Sequence, residues 1–201
     1  MANTDDLRFV RTEDAIRSAF MELVSEQPVG SITASAVCRR AGISRNAFYL
    51  HHSGIAELYA AMIGELLEDV RTECLASSER AVSTGTTDKA FSSALVGAIA
   101  RHEKLLRALL PADDGTLAAR LAEGVEEAYA ESSFAFGERS GSWEHQLWSS
   151  FGAWALVGAV RRWVLGCDRP LSELLPQFET MQSGVLEAST RFLIGDDASK
   201  K

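Results

Sequence analysis

The sequence predicts an all-α protein of about nine helices: a three-helix N-terminal unit over residues 1–54 and a larger helical part over residues 55–201. Three observations lead there. Apolar residues recur at helical spacing along the chain, with no strand alternation and no internal repeat. Capping residues and Gly or Pro breaks punctuate that spacing. One stretch, "TASAVCRRAGISRNAFYLHH" (33–52), is basic and sets a glycine between two short helical runs, in a chain of net charge -8.

The elements follow in order. Ile16, Ala19, Phe20, Leu23 and Val24 form an amphipathic stripe, and Thr12 reads as its N-cap, with Glu13 and Asp14 suiting the positive end of the macrodipole. Pro28 and Gly30 stop this helix. Thr33 caps a second, which runs to about Ala41 and ends at Gly42 in the left-handed position. Ser44 caps a third, through about His51. A long helix then carries Ile55, Leu58, Tyr59, Met62, Ile63, Leu66, Leu67, Val70 and Cys74 on one stripe. "STGTT" (83–87) breaks it. Helices are expected at Asp88 to about Arg101, Glu103 to Leu110 and Gly115 to about Glu131, then a polar loop, "SSFAFGERSGS". Trp143 to Leu165 and Leu171 to about Ile194 form the last pair, with Pro170 at a helix start.

Bulk properties narrow the function. With 46% hydrophobic and 24% charged residues, the 201-residue chain has a soluble globular composition. Its start, "MANTDDLRFV", lacks the pattern of a secretory leader, and no apolar run reaches the ~20 residues of a membrane span. Three scattered cysteines, Cys38, Cys74 and Cys167, suggest reduced thiols and a cytoplasmic setting. Up to residue 56 six arginines balance six acidic residues, so the other 14 basic and 22 acidic residues carry the whole -8. Gln27 to Ala56 holds Arg39, Arg40 and Arg45 and no acid at all. A polyanion would meet repulsion over most of this molecule and tolerance at one end; a solvated basic face is the plain alternative.

Two short helices joined by a glycine turn make a helix-turn-helix. In such a unit the first helix crosses the DNA backbone while the tip of the second enters the major groove. Val37, Ile43, Ala47 and Phe48 supply an apolar underside. Arg45 and Asn46, in the first turn of the second helix, suit guanine O6/N7 and adenine N6/N7. Thr33, Ser44, Tyr49 and His51 suit phosphates, which orient a protein without reading sequence. Arg39 and Arg40 read as solvated surface. His51 and His52 have no further His or Cys at ligand spacing, so no metal is expected.

"ITASAVCRRAGISRNAFYLHH" followed by "SGIAELYAAMI" resembles the DNA-binding signature of the tetracycline-repressor (TetR) family, in residue detail over about the first 65 positions. Ile32-Thr33, Ala41-Gly42-Ile43-Ser44, Arg45 and Tyr49-Leu50-His51 carry the likeness. His52 stands where the family usually has Phe, and Ile55 where a Lys commonly opens the fourth helix and meets phosphate. The resemblance implies an effector-responsive regulator, a repressor in the first instance, which binds a palindromic operator as a homodimer and is released by a small molecule bound in the C-terminal part. A helical ligand-binding or interaction protein without specific DNA binding is the alternative.

For the dimer, the last helix offers an apolar stripe that includes Leu174, Phe178, Met181 and Val185. The preceding helix adds the small residues Ala155 and Gly158; packing within one subunit is the other reading of this stripe. For the effector, Met62, Leu66, Phe91, Tyr129, Trp148 and Phe151, with Phe134 and Trp154 beside them, are candidates to line an apolar cavity, which points to an uncharged or hydrophobic ligand. No cofactor is expected. No nucleophile elbow, phosphate loop or HExxH pattern suggests an enzyme, and the adjacent pairs His102-Glu103 and Glu144-His145 point apart on a helix.

Overall fold

The structure, a computed structural model, describes residues 4–84, 88–132 and 141–194. Among the described residues there are nine α-helices and no strand: α1 Thr4–Glu26, α2 Ala34–Ala41, α3 Arg45–His51, α4 Ile55–Thr84, α5 Asp88–Arg101, α6 Glu103–Leu109, α7 Thr116–Ser132, α8 Trp143–Gly166 and α9 Leu171–Ile194. Among them no helix is long and apolar enough to cross a membrane. The chain divides into two compact units, residues 1–65 and 66–201. The division falls inside α4, which is one continuous helix.

In the first unit α1 packs on α2 and α3. Ile16, Phe20, Val37, Phe48, Leu58 and Ile63 are all fully buried there. Each such side chain contributes roughly 1.5–3 kcal/mol by leaving water. The first helix begins at Thr4, eight residues before the expected cap at Thr12. Thr12 lies inside it, its hydroxyl donating to the Arg8 carbonyl at 2.9 Å. A threonine that bonds back one turn needs no helix end, so Thr12 sits in the helix interior and not at its cap.

The second unit pairs α7 with α8, α5 with α9, and α8 with α9. Asp113 opens α7 by accepting the Leu117 and Ala118 amides at 2.9 and 3.1 Å. One arginine fixes the α8–α9 corner. Arg107 donates to the Cys167 and Arg169 carbonyls at 3.0 and 2.7 Å and lies 4.2 Å over the Trp163 ring, while Glu103 accepts the Leu171 amide at 3.0 Å. Pro176 sits inside α9, where it removes the bond its amide would give to the carbonyl four residues back. The expected break at 83–87 comes later than read, since α4 continues through Thr84; residues 85–87, and Phe134 with most of its loop, lie outside the described residues.

Candidate functional site

The turn of the first unit is built by its own sequence. Thr33 Oγ1 accepts the Ala36 amide at 3.2 Å and so starts α2. Gly42 ends that helix at φ 68°, with its amide bonded to the Cys38 carbonyl. No atom lies within 4 Å of where a Cβ on Gly42 would stand. The left-handed backbone, not crowding, therefore selects glycine here. Ser44 Oγ then accepts the Ala47 amide at 3.1 Å and starts α3.

With both caps in place, Phe48 is pinned inward at 0% exposure while Ser44, Arg45, Asn46 and Tyr49 are exposed. Tyr49, one turn on from Arg45, holds the arginine's guanidinium further above the usual pKa. A charged planar fork and a carboxamide thus stand on the outer side of α3 at its first turn, the chemistry that reads base edges. Thr33 is exposed too. By contrast Arg40 is engaged with Glu22 and Glu26 at 3.1 and 2.7 Å, which also lowers the Glu26 carboxyl.

Residues 16–62 match the sequence model of the bacterial regulatory proteins of the tetR family. The likeness to that family thus lies in the first unit. The chain is similar to the uncharacterized HTH-type transcriptional regulator YxbF of Bacillus subtilis (strain 168), 33% identical over 89 residues. That alignment covers 43% of this chain and 23% of YxbF, so the chain spans about a quarter of that relative. Two solved structures share the fold. The dihydroxyacetone kinase operon activator DhaS aligns over 88% of this chain and 97% of its own, at TM-score 0.58 and 16% identity. The fatty acid degradation regulator FadR from Bacillus halodurans aligns over 86% and 95%, at TM-score 0.59 and 16% identity.

One expected phosphate contact of this unit is corrected by its geometry. The His51 side chain is only 4% exposed. Its ring stacks on Phe9 at 3.8 Å, and its Nδ1 lies 3.0 Å from Glu13 Oε2, a charge-pairing distance without hydrogen-bond geometry. His51 is therefore tucked against α1 and does not face solvent. His52, which takes the place of the family's Phe, is buried as well, with Nε2 3.0 and 3.1 Å from the two Glu13 oxygens. A carboxylate only accepts, so Nε2 carries the proton.

Arg17 completes the group. Its Nε bonds Glu13 at 2.6 Å, and its two terminal guanidinium nitrogens pair with Glu65. Burial alone would raise the Glu13 carboxyl, but Arg17 and His52 outweigh it and hold it below its usual value. Spacing could not show this cluster, because Glu13 and His52 are 39 residues apart. At the position of the family's Lys, Ile55 opens α4, where the Ser53 amide donates to Glu57 at 2.6 Å, a bond that starts the helix without a cation.

In the second unit the expected effector residues separate. Phe91 and Tyr129 are buried and stack at 5.4 Å, and Leu66 lines an apolar cavity with Val70, Ile99, Val125, Val157 and Val160. Phe151 is corrected: it points outward at 59% exposure, and Trp154 at 50%. On α8 they lie on the face turned away from Gly152, Ala153 and Leu156, which are buried. Trp148 is half-buried and meets Phe151 edge-on at 6.3 Å. Met62 is buried in the first unit and does not line the cavity.

The expected interface residues also divide. Ala155, Gly158 and Met181 are exposed, Leu174 and Val185 are half-buried, and Phe178 is corrected as a core residue at 5% exposure. Among the described residues no group of three His, Cys, Asp or Glu is placed to hold a metal ion.

Proposed function

We propose that this chain is a TetR-family, ligand-responsive transcriptional regulator of the cytoplasm that binds a palindromic operator as a homodimer. The observation that carries this reading is the placement of Arg45 and Asn46. Both are exposed at the first turn of α3, with Phe48 buried beneath them and the turn locked by Ser44 and Gly42. Arg45 and Asn46 read bases; Thr33, Ser44 and Tyr49 meet phosphates.

The homodimer is supported by the outer face of α8. Trp143, Leu147, Phe151 and Trp154 are 69, 53, 59 and 50% exposed and follow one another at three- and four-residue steps, with the small exposed Ala155 and Gly158 along the same helix and Met181 exposed on α9. An apolar stripe of this extent calls for cover, and a second copy related by a two-fold axis supplies the same stripe in return. Two recognition helices then address half-sites about 34–36 Å apart.

An effector bound in the second unit acts through α4, which is covalently continuous with the residues that follow α3. It releases DNA to the extent that it prefers the state in which the two reading heads are misaligned, a coupling of typically ~1–3 kcal/mol. Repression is the simplest outcome of such a device. Activation is the second reading, favoured by the fold shared with DhaS, an operon activator by name.

Selection of bound duplexes from a random pool tests the proposal. Recovery of a palindrome supports operator binding by a symmetric dimer. If no sequence is enriched and binding to random duplex shows no steep loss with salt, the chain is a helical ligand-binding protein without a DNA role.

A further inference from the structure

Burial divides the seven residues of α3 into two sets. Phe48 is 0% exposed, Ala47 is half-buried, and the His51 side chain is tucked against α1. Arg45, Asn46, Tyr49 and Leu50 are left on the outside. Arg45 and Tyr49 are four residues apart, as are Asn46 and Leu50, so the outer side consists of two short rows lying next to each other. Three of these four side chains carry a hydrogen-bonding group. Leu50 carries none, and at 79% it is the most exposed of the large hydrophobic side chains among the described residues.

Single exposed leucines are common on protein surfaces, so exposure alone decides nothing. Position does. From end to end α3 rises only about 10 Å, less than the roughly 12 Å width of the major groove of B-DNA. A helix that seats Arg45 and Asn46 against base edges therefore brings Leu50, one turn further along the row of Asn46, over neighbouring bases in the same groove. Leucine has no donor to offer a phosphate oxygen. Set against the donors and acceptors of a base edge, it would strip them of water with nothing in return. Thymine alone among the four bases adds a C5-methyl group to its major-groove edge, and that methyl is the apolar partner available to Leu50.

We infer that Leu50 is a specificity-determining residue that packs on a thymine C5-methyl in the same half-site as the base met by Asn46. The carboxamide of Asn46 takes adenine N6 and N7, and the isobutyl group of Leu50 takes the methyl. Four residues of helix rise about 6 Å, close to two base steps of ~3.4 Å, which sets the expected spacing between the two bases. This assignment rests on the regulator reading, in which the tip of α3 enters the groove, and it names a base that the polar residues of the helix do not read.

The test uses the full chain and the palindrome recovered from a random pool. Each thymine of one half-site is replaced in turn by deoxyuridine, which removes the methyl group and keeps the O4 acceptor and the pairing. Affinities are read by fluorescence anisotropy at one fixed salt concentration. The parent is expected to lose roughly three- to tenfold at one thymine, the scale of a methyl group withdrawn from an apolar contact. Leu50→Ala should lose a similar factor on the unmodified duplex and nothing further on the deoxyuridine duplex. Asn46→Ala should keep the methyl effect. Thermal unfolding of Leu50→Ala should match that of the parent, because the side chain is exposed.

A half-site without thymine, deoxyuridine without effect at every thymine, or a methyl effect that persists undiminished in Leu50→Ala would each overturn the inference. In all three cases sequence-selective binding by the parent leaves the regulator reading standing. A parent that selects no duplex removes the regulator reading, and the role of Leu50 with it.

Discussion

His52 Nε2 stands 3.0 Å from Glu13 Oε2, and the same carboxylate takes Arg17 at 2.6 Å and lies 3.0 Å from His51 Nδ1. One acidic residue of α1 thereby gathers the last residue of α3, the residue that follows it, and a cation of its own helix. The arrangement makes Glu13 and His52 interdependent. A phenylalanine at position 52 would need no acceptor, whereas a buried imidazole does.

Glu13→Ala is therefore expected to destabilise the first unit by ~1.5–3 kcal/mol, the range for hydrogen bonds to a charged group. Placing His52→Phe in that background should recover most of the loss. Urea unfolding of the parent, the single variants and the double variant checks this. Additive losses in the double variant would show that the two residues are not coupled.

The same carboxyl gives a dependence on pH. Because it titrates below its unfolded value, Glu13 stabilises the fold above about pH 4.5, and the contribution disappears as pH falls through the folded pKa. Buried His145 acts in a higher window. Burial lowers its pKa, and its Nδ1 accepts the Gly141 amide at 3.0 Å. Its contribution is complete above about pH 6.5 and declines below that as the unfolded imidazole takes up a proton. Unfolding midpoints followed from pH 8 to pH 3 should show both steps. Glu13→Gln should flatten the lower step and leave the upper one.

How much of this was open to sequence reading depends on range. Thr33, Gly42 and Ser44 act on amides or carbonyls within four residues, so cap and turn chemistry located α2 and α3. The periodic stripes likewise located α4 to α9. The misses are long-range or two-sided. Imidazole suits phosphate, which by sequence alone points His51 outward, but Phe9 and Glu13, far back in the chain, draw it inward. Phe151 and Tyr129 are both helical aromatics, and only packing decides that the first faces out and the second in. Phe178 belongs to a stripe wide enough to serve both a core and an interface; burial places it in the core.

Phe151→Ser together with Trp154→Ser should shift the chain from dimer to monomer in sedimentation equilibrium while leaving its helical circular dichroism unchanged. Both side chains are half-exposed or more in the isolated subunit, so little of the fold depends on them. A parent chain that is monomeric at all concentrations would remove the two-fold dimer from the account.

The most direct test of the central claim, that the tip of α3 reads bases, is a fluorescence-anisotropy titration of the selected palindrome and its single-base variants with parent and Arg45→Ala. The account predicts that Arg45→Ala loses ~1–3 kcal/mol of discrimination at one base pair of each half-site, with other positions still read. An operator preference unchanged by the substitution would contradict it.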